Sequence, residues 1–295
     1  MADVDPALTN SIRFQKFRRE LIGNIPRIPN NRESLSAIES KHPTDLLIIY
    51  MCWRLRNVAT RPRKVTGMFA IENDGRAAAL RANIEAFVEA VETGADLGPY
   101  LSRKAHRHGY VMASDPENSN AATWNDKDFV LNVMGLHHFH LGLNMQSSGL
   151  MDRTDEVLFA SVRREEVEIL GLFDHSVFEW TVDDEMVPER KRLWSVYDEM
   201  QFKDSAPGSI VMGGYGNMGI TTAGTPLVVT KKAIEHIAII KKIDPKLDDA
   251  EYVQTLFDGH IARKRVKLAW CYRHLDFGLV NEPSDDFVLF GPGPN

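Results

Sequence analysis

The sequence predicts an α+β fold, a small antiparallel sheet of three or more strands enclosed by N-terminal and C-terminal helices. Three observations carry this expectation. The alanine-rich stretch from Arg76 to Val91 repeats apolar residues at helical spacing and stops at Thr93-Gly94. Three runs rich in strand formers then follow one another: Leu136 to Leu141, Glu156 to Val162, and Val167 to Phe173. Helical periodicity resumes beyond them, from Pro188 to Met200, from Lys231 to Ile243, and from Asp248 to Leu275.

Taken in order, the chain begins with an amphipathic segment from Ser11 to Ile22, which Gly23 and the Asn/Pro-rich residues 24–31 end. Pro43-Thr44-Asp45 supplies a helix start for Leu46 to Val58. Arg54, Arg56, Arg61, Arg63 and Lys64 follow as a basic cluster, read either as solvated surface or as a patch that contacts nucleic-acid phosphates. A short helix capped by Asn125 or Asp126 runs to Val133, and Gly135 breaks it. Charged residues Arg163 to Glu166 form the tip of a hairpin between the second and third strands. The Gly-rich residues 212–219 lack the Gly-Lys-Ser/Thr ending of a phosphate loop and read as a hairpin or substrate-facing loop. Arg263, Lys264, Arg265 and Lys267 place a further basic patch on the last predicted helix, before a terminal strand from Phe287 to Phe290. Composition divides the chain into a helical region 1–115, a β core 116–180 and an α+β region 181–295.

The 295 residues are 43% hydrophobic and 26% charged, as expected of a globular protein with a sizeable core. A net charge of -6 argues against coating of nucleic acid by the whole surface and leaves local basic patches. Cys52 and Cys271 sit in apolar patterns that read as helical, without CxxC spacing, as buried free thiols of a reducing compartment. No secretory h-region is visible, and the longest apolar run, Leu46 to Trp53, is too short to cross a bilayer. A cytoplasmic location with no membrane partner is expected; a homo-oligomer is compatible with the composition.

The densest chemistry lies in Gly135-Leu136-His137-His138-Phe139-His140-Leu141-Gly142. Side chains alternate along a strand, so His138 and His140 share one face while His137 and Phe139 share the other. Arg153 starts the second strand, and His175 ends the third beside Asp174. Three readings remain open. His138, His140 and His175 can move protons while Arg153 neutralises a phosphorane, without a cofactor. Alternatively, His138, His140 and His175 with Asp155 or Asp174 offer ligands for zinc or manganese in a metal-dependent hydrolase or nuclease. In the third reading the histidines are hydrogen-bonded core residues of a non-catalytic binding or regulatory module.

The order helix, HHFHLG, RTDEVLFASV, VEILGLFDHSVF over residues 124–178 resembles the sheet core of the RelE/ParE superfamily of toxin-like ribonucleases. The resemblance implies a toxin-like or defence-related endoribonuclease, with RNA as substrate and an inhibitory or defence-system protein as partner. HHFHLG, with the upstream stretch from Trp53 to Arg63, also resembles an uncharacterised bacterial family with an HHLHLG-type element, which implies shared architecture alone.

Overall fold

The computed structural model describes residues 6–107, 109–111, 130–179, 181–182, 185–202, 219–221, 224–259 and 266–294. The fold is α+β, and compactness divides the chain into two units, each assembled from segments distant in sequence. The first comprises residues 1–55, 107–115 and 229–294; the second comprises residues 56–106, 116–228 and 295. This division runs across the three consecutive regions suggested by composition. Among the described residues, no helix is long and apolar enough to cross a membrane.

The first unit pairs β1 (Arg27–Ile28) in parallel with β3 (Tyr110–Val111) and builds a three-stranded antiparallel sheet from β9 (Leu268–Arg273), β10 (Asp276–Asn281) and β11 (Asp286–Gly291). The long helix expected from Asp248 to Leu275 is therefore a correction. Helix Ala250–Leu256 is short, and the chain then enters a hairpin that turns through His274 at φ 55°. Ala269, Trp270, Phe277 and Leu279 are buried in it, with Trp270 stacked on Phe277 at 5.4 Å. Cys271 thus lies on a strand, and both cysteines are half-buried and outside any disulfide. The expected terminal strand is β11.

His236, on helix Leu227–Ile243, is 2% exposed, stacks on Phe277 at 4.3 Å, and places Nδ1 2.7 Å from the Tyr272 hydroxyl. Burial, helped by nearby Lys232, pushes its pKa down to about 3. The unfolded chain takes up this proton near pH 6.5, so it binds more protons than the native state between that value and about 3. Stability is fully present above pH 6.5 and is lost as pH falls. Between pH 7 and 4.5 this group alone should remove about 2 kcal/mol of unfolding free energy. Urea midpoints measured at both values should show His236→Gln losing less than the parent, and equal losses would contradict the assignment.

The second unit carries a four-stranded sheet ordered β2 (Lys64–Thr66), β6 (Glu166–Asp174), β5 (Glu156–Val162), β4 (Leu136–His140). The predicted meander is present: β4 pairs antiparallel with β5, and β5 with β6. β2 adds a short parallel edge to β6, which the sequence reading placed in the basic cluster instead. The inner strands β5 and β6 are apolar along almost their whole length because both sheet faces are covered. One face packs Phe139, Leu158, Ala160, Ile169 and Leu172 against Ile84, Phe87 and Val91 of helix Arg81–Thr93. The other packs Leu136, Val157, Phe159 and Phe173 with Val177 and Leu193, the latter on helix Pro188–Phe202.

Beyond Glu168, where β2 has ended, side chains meet the outward backbone groups of β6. Arg76 Nη2 donates to the Leu172 carbonyl at 2.9 Å, Arg192 donates to the same oxygen, and the Asp174 amide donates to Glu189 Oε2 at 3.2 Å. These groups substitute for a further strand and protect the edge.

Candidate functional site

The strand carrying the histidines starts at Gly135, whose φ of 71° ends the π-helical turn Val130–Met134 and sets the direction of β4. Alternation then sorts the imidazoles. His137 is buried and lies 6.1 Å from the Phe139 ring, on the face of helix Arg81–Thr93. His138 and His140 turn to the opposite face, with ring centroids 5.9 Å apart.

His175 joins them from the end of β6, stacking on His140 at 5.8 Å with a 22° interplanar angle. Its turn, His175–Phe178, is capped by Asp174, whose carboxylate accepts from the Ser176 amide at 2.8 Å and its hydroxyl at 2.5 Å. Arg190 fastens the other end. Its guanidinium is fully buried and Nη1 donates to the Val177 carbonyl at 3.1 Å. Phe178 supports the cluster, with ring centroids 5.0 Å from His138 and 6.4 Å from His175. Phe159 lies beneath, 5.9 Å from His138.

The protonation geometry of His175 is set locally. Nδ1 lies 2.7 Å from the Asp155 carbonyl, an oxygen that can only accept, so Nδ1 carries the hydrogen. In the neutral imidazole Nε2 then holds the lone pair, the arrangement of a proton acceptor. His175 and His138 are half-buried, whereas His140 is 2% exposed and sits between them in the stack.

Arg153 lies two residues before Asp155, its side chain exposed and without an ion pair among the described residues. Asp155 contributes its carbonyl to His175, and Asp174 spends a carboxylate oxygen on the turn. Among the described residues, no group of three or more His, Cys, Asp or Glu side chains is arranged to hold a metal ion. The alternative set of His138, His140, His175, Asp155 and Asp174 therefore receives no geometric support.

The basic residues disperse. Arg54 falls in the first unit, where Nη2 lies 2.9 Å from His274 Nδ1 and the guanidinium sits 5.3 Å from the Trp53 ring. Arg56, Arg61, Arg63 and Lys64 belong to the second. Arg56 and Arg61 are half-buried, and Lys64 is exposed. Arg63 corrects the expectation of a phosphate contact: it is 4% exposed and donates to the carbonyls of Arg163 at 2.9 Å, Ala59 at 2.7 Å and Arg61 at 3.3 Å. Burial, with Arg61 nearby, pushes its pKa down to about 10, which leaves it charged at neutral pH. Arg63→Met should cost about 2–3 kcal/mol in chemical denaturation, because buried carbonyls lose a charged donor, and should leave RNA affinity unchanged. A selective loss of RNA affinity at unchanged stability would restore its surface role. Lys267 pairs with Glu282 at 2.8 Å, while Arg263, Lys264, Arg265 and the Gly-rich residues 212–218 lie outside the described residues.

Sequence reasoning missed Arg190, Phe178 and the Asp155 carbonyl, since nothing in local spacing shows a backbone oxygen meeting His175 or a buried guanidinium holding the Val177 carbonyl of its turn. Compared with known proteins, the chain matches no protein-family model, no curated protein and no solved structure.

Proposed function

We propose that the second unit is a metal-independent endoribonuclease whose acid–base groups are His175 and His138, with His140 packed between them. The observation that carries this reading is the half-buried His175, held by the Asp155 carbonyl with Nε2 left as an acceptor, stacked on His140, which meets His138 edge-on. Cleavage of RNA by its own 2′-hydroxyl needs a base, an acid and a cation near the phosphorane, roles this reading assigns to His175, His138 and Arg153.

In the proposed reaction His175 Nε2 takes the 2′-hydroxyl proton and the 2′-oxygen attacks phosphorus. The bond to the 5′-oxygen breaks as protonated His138 donates to it, leaving a 2′,3′-cyclic phosphate and a 5′-hydroxyl. His140 packs between the two rings and holds their spacing. Arg153, exposed beside Asp155, neutralises the charge that develops on the non-bridging oxygens.

The test incubates chelator-treated protein with an RNA oligonucleotide and identifies the product ends. Cleavage with 2′,3′-cyclic phosphate ends is expected. Intact RNA, or cleavage that requires an added divalent metal, would overturn the reading.

A further inference from the structure

A groove with an apolar floor and an acidic rim runs along one flank of helix Arg81–Thr93, within the second unit and apart from the histidine cluster. Met68, Ile84 and Val88 form its apolar lining, Glu85, Glu89 and Glu92 stand over it, and its volume is about 280 Å³. Met68 is presented by a fixed turn. Gly67 has φ 75°, and a Cβ there would fall 2.2 Å from the Ile169 carbonyl oxygen, so the backbone sits directly against β6. Ile71 anchors the short helix Phe69–Glu72 at 2% exposure, whereas Phe69 is 74% exposed and Met68 38%. The turn thus anchors one apolar side chain and displays two others beside the groove.

The rim gives the surface its sign. Glu85, Glu89 and Glu92 follow one another at spacings of four and three residues, on one side of the helix. Glu85 pairs with Arg81 at 2.9 Å on open surface, while the groove-lining Glu89 and Glu92 take no ion pair among the described residues. An acidic partner would bury these carboxylates against like charge, and a second copy seated groove to groove would do the same. The volume suits one or two side chains rather than a drug-sized ligand.

From these observations we propose that the groove docks a basic amphipathic peptide segment of another protein. An apolar side chain of that segment enters between Met68 and Val88, and its Lys or Arg residues meet Glu89 and Glu92. The proposal is independent of the ribonuclease reading, because none of the groove residues touches the histidine stack.

Fluorescence anisotropy with a labelled synthetic helix-forming peptide, Lys and Leu placed on opposite faces, tests it. Two control peptides are used: the same composition in a non-amphipathic order, and the same order with Glu for Lys. Saturable binding of the first peptide is expected, weakened at least tenfold by Glu89→Lys/Glu92→Lys and, separately, by Met68→Ser/Phe69→Ser. Glu33→Lys/Glu39→Lys, which alters exposed acids of the other unit, should bind as the parent does. Circular dichroism checks that each variant is folded. Equal binding of the reordered peptide, unchanged affinity in both groove variants, or self-association of the parent that the groove variants abolish would each overturn the proposal.

Discussion

His175→Ala should lower the rate of RNA cleavage about a thousandfold while leaving the urea midpoint close to that of the parent. The expected size follows from the contribution of a positioned acid–base group, about 10²–10⁴-fold. The small effect on stability follows from the position of His175, half-buried at a strand end in a turn held independently by Asp174 and Arg190. Added imidazole should restore part of the lost rate, since it returns a proton acceptor to the vacated space. His175→Asn keeps a group able to donate to the Asp155 carbonyl and removes the Nε2 lone pair, so it should be as inactive as His175→Ala. Retained activity in His175→Asn would show that this residue orients the turn instead of accepting the proton.

Phe159→Ala should lower the unfolding free energy by about 3–5 kcal/mol, the range for truncation of a fully buried aromatic side chain. Phe159 is 0% exposed at the centre of the inner strand β5, with ring centroids 5.1 Å from Phe173 and 5.9 Å from Phe178. The cavity would open beneath His138 and Phe178, so cleavage should also weaken at temperatures where the variant is still folded. Phe159→Leu fills most of the volume and should cost less on both counts. Guanidinium denaturation gives the first quantity and single-turnover cleavage the second. A Phe159→Ala protein as stable as the parent would mean that the packing face against helix Pro188–Phe202 is not the core described here.

The readability of this chain varied with the reach of the interactions involved. Strand alternation placed His138 and His140 on one face and His137 on the other because a period of two residues is local to the backbone. Gly135, with its positive φ, and the charged tip Arg163–Glu166 were legible for the same reason. The stretch from Leu268 to Leu275 reads as helix because its apolar residues fit either period, whereas the hairpin depends on the φ of His274 and on pairing with β11. The uninterrupted helix read from Arg76 to Val91 is divided at Leu80 into Gly75–Ala79 and Arg81–Thr93. Arg63 was misread because its acceptors include Arg163, a hundred residues away, and a sequence does not show three carbonyls converging. Arg76, Arg192 and Glu189 were unreadable as edge protection for the same reason.

The most direct measurement of the central claim uses a DNA oligonucleotide carrying one ribonucleotide, incubated with chelator-treated protein. The proposed mechanism predicts a single cut, immediately 3′ of the ribonucleotide, because that linkage alone has a neighbouring 2′-hydroxyl for His175 to activate. Cuts at deoxyribonucleotide linkages, or an oligonucleotide that stays intact under conditions where the protein cleaves RNA, would contradict it.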